Sequence, residues 1–175
     1  MFSLQGTKVK NRLILDIGCG ERKVIKTAIG LDIRKTKTVD IIASARYLPF
    51  RDEVFDYVYA SHVLEHFSHH KVKQVPKEWV RVLKRGGTLE IRCPDLRARA
   101  FIFALNPSWK NMRHIYGGQD HSWNYHKCGF SFGLLKNLLK EIGMYQIKRI
   151  FDWNKLIIPY KDLHITAKKS TTTPT

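Results

Sequence analysis

The chain has 175 residues, 43% of them hydrophobic, which is enough for one domain with its own core. No apolar stretch reaches the length of a membrane-spanning helix, and residues 1–12 lack the apolar centre of a secretory signal peptide. We therefore expect a cytoplasmic protein. The three cysteines are odd in number and far apart, which indicates reduced thiols and argues against a disulfide framework.

The charge balance is strongly basic, with 31 Lys and Arg against 15 Asp and Glu and a formal net charge of +16. A positive field of this size attracts nucleic acid and other polyanions. The basic residues are spread along the chain and form no single tail. A nucleic acid or other polyanionic partner is therefore one hypothesis, and a solvated basic surface is the alternative.

The first half of the chain contains short β-type runs, most of them with little room for helices between them. Only eight residues, ERKVIKTA, separate the first run from IGLDI, so the first crossover must be abbreviated or irregular. Apolar residues at helical spacing predict a helix over Lys71–Lys84, kinked or restarted at Pro76 and ended by Arg85-Gly86-Gly87. The predicted strands are Leu13–Ile17, Ala28–Asp32, Asp40–Ala43, Val54–Ala60 and Thr88–Cys93.

The second half begins with a predicted helix over Leu96–Leu105, followed by a polar and aromatic segment, 106–129, without a clear period. A segment of that length is commonly functional or mobile. Next come a helix over Phe130–Ile142, ended by Gly143, and two strands, Met144–Trp153 and Leu163–Ala167, joined by a hairpin-like connection. We expect one domain over residues 1–168 and a disordered polar tail over 169–175.

Strands that alternate with helices predict an α/β fold with a mostly parallel sheet, in which the carboxyl ends of the strands share one edge. The first strand ends in the turn Gly18-Cys19-Gly20, where glycines let the backbone approach a ligand closely. Asp32, at the end of the second strand, is placed to accept ribose hydroxyls, although an acid there can also cap a turn. The third glycine of a dinucleotide fingerprint is missing, which disfavours a nucleotide-binding oxidoreductase.

Four segments, taken together, resemble the class I S-adenosylmethionine-dependent methyltransferases. They are LDIGCG, GLDI, LPFRDEVFDYVYASHVLEHF and EWVRVLKRGGTLEI, and they cover Leu13–Ile91 densely. The segment 106–129 is similar to a small subset of such enzymes with shortened crossover helices. The resemblance implies a Rossmann-like sheet of about seven strands, mostly parallel with an antiparallel C-terminal pair, and S-adenosyl-L-methionine as the cofactor.

The resemblance also implies roles for individual residues. The methionine part of the cofactor would lie against the turn after the first strand, and Asp32 would bind the ribose. The end of the fourth strand would flank the cofactor. Ser44 stands where the family usually has an acid that contacts adenine, so its hydroxyl or the Ala45 amide would substitute. The implied cofactor-binding residues are Asp16, Gly18, Cys19, Gly20, Asp32, Ser44, Ala45, Ser61 and His62. Cys19 and Cys93 read as small buried residues, not as nucleophiles.

A general base is needed only where the methyl acceptor carries a proton that must leave. The candidates are His62, Asp95, His121 and His126. Histidine side chains are suited to proton transfer near neutral pH, and the two later histidines also lie in the segment expected to cover the substrate. A metal site is the alternative, because His62, His66 and His70 recur at a spacing of four and because His121, His126 and Cys128 lie close together in the chain. Cys-x-x-Cys and His-Glu-x-x-His are both absent, so we predict no metal.

The function predicted from the sequence is methyl transfer from S-adenosylmethionine to an anionic acceptor, such as nucleic acid or an acidic glycan. Aromatic and basic residues are mixed in 106–129 and could stack bases, or pack as a lid over the cofactor. The alternative function is a non-catalytic basic protein that binds cofactor or nucleic acid on the same fold. A sheet face left bare by short crossovers also suggests a homo-oligomer.

Overall fold

A seven-stranded mixed sheet organises the protein, and the computed structural model describes residues 12–151 and 161–171. The strands are β1 Ile14–Ile17, β2 Ile29–Asp32, β3 Ile41–Ile42, β4 Phe55–Ser61, β5 Leu83–Pro94, β6 Met144–Arg149 and β7 Asp162–Lys169. Their order is β3-β2-β1-β4-β5-β7-β6. The first five strands are parallel, β7 runs antiparallel to β5, and β6 runs antiparallel to β7. The predicted fold class is confirmed.

Four α-helices and one 3₁₀ turn lie in the described ranges. They are α1 Val75–Val82, α2 Leu96–Leu105, α3 Trp109–Tyr116 and α4 Phe132–Glu141, with the 3₁₀ turn at Leu64–His66. Residues 18–28, between β1 and β2, form turns without a helix, as the short spacing predicted. Among the described residues, no helix combines the length and the apolar character needed to cross a bilayer.

The core lies on one face of the sheet, because alternate strand residues point to the same side. Val58 of β4, Leu89 of β5 and Ile165 of β7 are buried there against Trp79 of α1 and the apolar side of α4. The Trp79 indole also donates a hydrogen bond of 2.8 Å to the Ala45 carbonyl oxygen, which satisfies its one polar atom.

The opposite face of the sheet carries polar side chains that bond to each other. The Glu90 carboxylate accepts a hydrogen bond from the Tyr57 hydroxyl and lies 2.6 Å from His164 Nε2. Arg92 lies beside both Glu90 and His164. This network makes the second face polar across β4, β5 and β7.

The helix predicted over Lys71–Lys84 covers only Val75–Val82. Pro76 lies in its first turn, where a missing N–H costs no helical hydrogen bond, so the proline begins the helix and does not kink it. The prediction that Arg85-Gly86-Gly87 ends this helix is wrong, because β5 already begins at Leu83. Gly86 has φ +71° in the irregular first part of that strand, where the register with β4 shifts.

The segment 106–129 contains a helix that periodicity did not predict. The Ser108 hydroxyl caps the start of α3 by accepting a hydrogen bond of 3.3 Å from the Asn111 amide, and Gly117, with φ +85°, follows its end. None of its residues is buried, so the helix lacks the apolar stripe that sequence analysis looks for.

The ends of several elements differ from prediction. The helix predicted over Phe130–Ile142 begins at Phe132, because the Ser131 hydroxyl caps it. Strand β6 ends at Arg149, while Trp153 and most of the predicted hairpin connection lie outside the described residues. Strand β7 extends through Lys169, one residue into the predicted tail, and 172–175 also lie outside the described residues.

Candidate functional site

The glycine turn follows β1 at the carboxyl edge of the sheet. Gly18 and Gly20 have φ values of +71° and +54°, in the left-handed region that glycine enters at low cost. The Gly18 amide donates a hydrogen bond of 2.7 Å to the Leu31 carbonyl oxygen of β2, which ties the turn to the neighbouring strand. Cys19, between the two glycines, is buried. Burial raises the pKa of its thiol to about 11, so the thiol remains protonated.

Space at the turn is limited by Val63, which lies after the end of β4. A Cβ atom placed on Gly18 would lie 2.3 Å from Val63 Cγ2, far inside van der Waals contact. Gly18 is therefore required both by its backbone angle and by the close approach of this side chain. The contact brings the start of the 3₁₀ turn against the glycine turn.

Asp16 is a buried carboxylate next to the turn, 2% exposed to solvent. Its Oδ2 accepts a hydrogen bond of 2.7 Å from the Val24 amide, so the loop after the turn closes back on β1. Burial raises the pKa of this carboxyl to about 6, partly opposed by the Val24 amide and by Lys23. A cation bound beside Asp16 would favour its charged form.

Asp32, at the end of β2, braces the same turn. Its Oδ2 accepts a hydrogen bond of 3.0 Å from the Gly20 amide, and its Oδ1 accepts one of 2.9 Å from the Arg34 amide. The Arg34 guanidinium lies 3.3 Å from Oδ1 and extends over Gly20. Because the Arg34 side chain is partly exposed, it can turn away and open lone pairs of Asp32 to a ligand.

Two buried carboxylates flank this turn in a chain whose formal net charge is +16. The site is therefore locally acidic, and it suits a cationic ligand better than a pyrophosphate. No helix N-terminus follows the turn within the described residues 18–28, so the usual dipole for a phosphate group is also missing. These features argue against the nucleotide-binding oxidoreductase alternative.

Ser44 and Ala45 follow β3 near the same edge. The Ser44 hydroxyl accepts a hydrogen bond of 3.3 Å from the Arg46 amide, and the Ala45 carbonyl oxygen is held by Trp79. The Ser44 hydroxyl keeps its own hydrogen to donate. The role in adenine binding that we predicted for these two residues stays a prediction.

The end of β4 places Ser61 and His62 beside the glycine turn. Ser61 is the last residue of the strand, and Val63 is the N-cap residue of the 3₁₀ turn that follows. His62 has φ 55°, and its Nδ1 lies 3.1 Å from Glu65 Oε1. That hydrogen bond raises the pKa of His62, against the effect of burial.

Asp95 has a structural role that the sequence did not suggest. Its Oδ1 caps α2 by accepting a hydrogen bond of 3.1 Å from the Arg97 amide, and its Oδ2 pairs with Arg149 over 3.0 Å. Both oxygens of this buried carboxylate are therefore engaged by the protein. Asp95 is not placed to act as a general base.

The two histidines of the segment 106–129 lie in different surroundings. His126 is half-buried, and its ring lies 5.3 Å from the ring of His66. His121 is exposed and stacks on Trp123 with ring centres 5.0 Å apart. The structure thus brings His62 and His126 to one cleft and leaves His121 outside its lining.

This cleft, with a volume of about 260 Å³, lies between the carboxyl ends of β4 and β5 and the segment 106–129. Arg99 and Arg113 make its lining basic, although Arg99 pairs with Asp162 over 2.8 Å. The pKa of His114 is lowered, first by burial and then by Arg99. The lining residues are His62, Pro94, Arg99, Arg113, His114, Gly117, Gly118, Asn124 and His126.

Sequence reasoning missed Glu65, Arg99 and His114 as site residues. Glu65 is 1% exposed, and its place between two histidines in the run HVLEHF was the signal that could have identified it. Arg99 and His114 lie on α2 and α3, whose relative placement depends on contacts between the two helices. No local pattern indicates that placement.

Comparison with known proteins agrees with the fold and with the turn. Residues 15–91 match a family described as a methyltransferase domain. An uncharacterized protein of Methanocaldococcus jannaschii is 35% identical over 86 residues, which are 42% of this chain and 34% of that protein. The match thus spans about a third of that relative's length.

Solved structures with low sequence identity share the fold. An S-adenosylmethionine-dependent methyltransferase from Archaeoglobus fulgidus has a TM-score of 0.64 at 19% identity, over 91% of this chain and 87% of its own. A chain in the complex of the Haloferax volcanii Trm112 methyltransferase activator with a methyltransferase also has a TM-score of 0.64, at 15% identity. The match covers 94% of this chain and 84% of that chain. S-adenosylmethionine is the cofactor that this family implies. Residues 15–91 thus match a methyltransferase domain, and the chain has the fold of solved S-adenosylmethionine-dependent methyltransferases.

Proposed function

We propose that this protein transfers a methyl group from S-adenosylmethionine to an acceptor bound in the basic cleft. The observation that carries the proposal is the acidic glycine turn, with buried Asp16 and Asp32 on either side of it. S-adenosylmethionine carries a sulfonium and an ammonium group, so two carboxylates complement its charge. The pyrophosphate of a dinucleotide would be repelled by both carboxylates.

The glycines of the turn shape the place proposed for the cofactor. Gly18 is packed against Val63, whereas a Cβ atom on Gly20 would meet only Arg34 Nη2, at 3.3 Å, so Gly20 leaves space once Arg34 turns away. Asp16 would face the cationic end, and Asp32 would accept the ribose hydroxyls after Arg34 turns away. The bound cofactor supplies an activated methyl group, so the protein mainly has to position the acceptor in line with it and exclude water.

The acceptor would lie in the cleft at the ends of β4 and β5. His62 and His126 line this cleft, and we expect their imidazoles to contact the acceptor. Within the described part of the chain, the carboxylate that pairs with Arg113 is Asp120, at a distance of 3.9 Å, so the Arg113 charge is open to a ligand. These groups favour an anionic acceptor, such as nucleic acid or an acidic glycan.

Calorimetry with S-adenosylmethionine and S-adenosylhomocysteine tests the cofactor, with NAD as the control ligand. We expect both sulfur compounds to bind and NAD not to bind. Transfer of a labelled methyl group to RNA, DNA, glycan and protein pools then identifies the acceptor class. The absence of binding by either sulfur compound to the folded protein would contradict the proposal.

A non-catalytic binding protein is the second candidate, and Ser44 is the observation that favours it. The family usually places an acid at this position, and the Ser44 hydroxyl already accepts a hydrogen bond from the Arg46 amide. A protein of this kind would bind S-adenosylmethionine weakly or not at all and would methylate no pool. Replacing Ser44 with Asp should then strengthen binding, whereas in an enzyme with a working serine contact it should not.

A further inference from the structure

Glu65, His66 and His126 form a second cluster, which shares His126 with the proposed acceptor cleft. One side-chain atom from each, two imidazole nitrogens and a carboxylate oxygen, lie within 4.8 Å of one another. Glu65 and His66 belong to the 3₁₀ turn after β4, and His126 comes from the segment after α3. The two segments are joined by the Glu65 carbonyl oxygen, which accepts hydrogen bonds from the amides of Lys127 and Cys128.

Both imidazoles of the cluster are held by backbone carbonyl groups. His66 Nδ1 lies 3.1 Å from the Tyr125 carbonyl oxygen, and His126 Nδ1 lies 3.1 Å from the Ile115 carbonyl oxygen. A carbonyl oxygen can only accept a hydrogen bond, so each Nδ1 carries the proton. Each Nε2 is then left with its lone pair, which is how histidines that bind metals are usually prepared.

Glu65 supplies a carboxylate oxygen that the protein leaves unused. The residue is 1% exposed, and His62 Nδ1 holds its Oε1. Its Oε2 is buried and has no hydrogen-bond partner among the described residues. A buried carboxylate oxygen without a partner is costly, and a cation at this place would remove that cost.

A cavity of about 10 Å³ lies beside the cluster and is lined by Glu65, His126 and Cys128 among others. Such a volume holds one water molecule or one ion and nothing larger. The cluster therefore combines two imidazoles with a free Nε2 lone pair and one unused carboxylate oxygen, and an ion-sized space adjoins Glu65 and His126.

We propose that Glu65, His66 and His126 bind one divalent transition-metal ion of the Zn²⁺ type. Two imidazoles and a carboxylate are a donor set that zinc accepts, with a fourth position left open, whereas Mg²⁺ and Ca²⁺ prefer oxygen ligands. Metal–ligand distances of about 2.0–2.2 Å require the three atoms to draw together by about an ångström. Because His126 also lines the cleft, the ion would border it.

This inference differs from the sequence prediction of no metal, and it does not depend on methyl transfer. The sequence pattern failed because the ligands come from two distant segments. His66 and its carbonyl partner Tyr125 are 59 residues apart. Neither segment alone contains a known metal motif.

The test is metal binding by the full chain after treatment with a chelator. Titration with Zn²⁺ by calorimetry, and with Co²⁺ followed by visible absorption, should give one site per chain, while Mg²⁺ should not compete. His66→Asn and His126→Asn keep a donor for the carbonyl oxygen and remove Nε2, so each should weaken Zn²⁺ binding at least tenfold. The matched controls are His69→Asn and His121→Asn, which replace histidines outside the cluster.

Two results would overturn the proposal. One is no Zn²⁺ binding by the folded wild-type chain up to millimolar concentration. The other is unchanged affinity in both His66→Asn and His126→Asn, with loss in His69→Asn, which would place the ion on the neighbouring pair His69 and His70. A rise in the unfolding temperature of wild-type protein with Zn²⁺, absent in Glu65→Gln, provides a second readout.

Discussion

The Gly20 amide donates a hydrogen bond of 3.0 Å to Oδ2 of Asp32, which joins the glycine turn after β1 to the end of β2. Asp32 thus holds the turn in shape before any ligand is present. The same carboxylate is the one we propose for the ribose hydroxyls. Preparation of the turn and recognition of the cofactor therefore depend on one side chain.

Replacing Asp32 with Ala should weaken S-adenosylmethionine binding by more than tenfold, because the ribose contacts and the support of the Gly20 amide are lost together. Calorimetry measures the effect. Asp56→Ala is the matched control, since Asp56 accepts a hydrogen bond of 2.9 Å from the Leu13 amide at the start of β1, the end opposite to the turn. Equal affinity in wild type and Asp32→Ala would remove Asp32 from the cofactor site.

Asp16 should make the stability of the protein depend on pH. Below its unfolded pKa of 3.8 the carboxyl is protonated in both states and contributes nothing. Between that value and the folded pKa of about 6, the unfolded chain loses its proton first, so the free energy of unfolding falls as the pH rises. A difference of about two pH units corresponds to about 3 kcal/mol.

The comparison with Asp16→Asn isolates this effect, because asparagine keeps an oxygen for the Val24 amide and cannot ionise. Urea denaturation at pH 4 and pH 7 should show the variant gaining about 3 kcal/mol relative to wild type over that interval. The variant should also bind S-adenosylmethionine more weakly at pH 7. A constant difference between the two proteins across this range would show that Asp16 has no raised pKa.

Gly18→Ala should destabilise the protein by at least 1–2 kcal/mol, because its φ of +71° disfavours any Cβ and Val63 occupies the space. Adding Val63→Ala should recover the loss of free energy of unfolding that comes from the clash with Val63. The loss that comes from the backbone angle should remain, and chemical denaturation measures both. Gly133→Ala in α4 is the control, since a Cβ there meets no atom within 4 Å. It should be neutral or stabilise by about 0.5–1 kcal/mol.

His126→Ala should lower turnover more than it lowers S-adenosylmethionine affinity, because His126 lines the cleft for the acceptor and not the glycine turn. His121→Ala, at the exposed stack with Trp123, should leave both quantities near wild type. Kinetics with the acceptor found in the labelling screen measures turnover, and calorimetry with the cofactor measures affinity. Parallel loss of turnover and affinity in His126→Ala would instead indicate a structural role.

Association with a polyanion should weaken steeply as salt rises, because lysine and arginine contacts release counterions from a charged polymer. A fluorescent RNA oligonucleotide titrated at several salt concentrations would measure the slope. Arg113→Gln, which removes a charge from the cleft, should lower the slope if the polymer enters there. Binding that does not change with salt would point to a neutral acceptor.

The sequence by itself determined the parts of this protein that local patterns encode. Three features lie close together in the chain: an apolar run, the glycines after it and the acid 12 residues beyond Gly20. Their order predicts the turn and an acid placed beside it. Alternation of strands and helices likewise predicted a mostly parallel sheet, and the antiparallel pair at its end was implied by the family resemblance. Most errors occurred at the ends of elements, where caps such as Ser131 and packing compete with periodicity.

Only the tertiary structure decided which polar side chains are free for chemistry. Asp95 follows a strand just as Asp32 does, yet Arg149, from the other end of the sheet, engages it. Glu65 and His126 meet because the segment after α3 folds back on the 3₁₀ turn. Contacts between residues so far apart depend on how elements pack, and no local spacing records that packing.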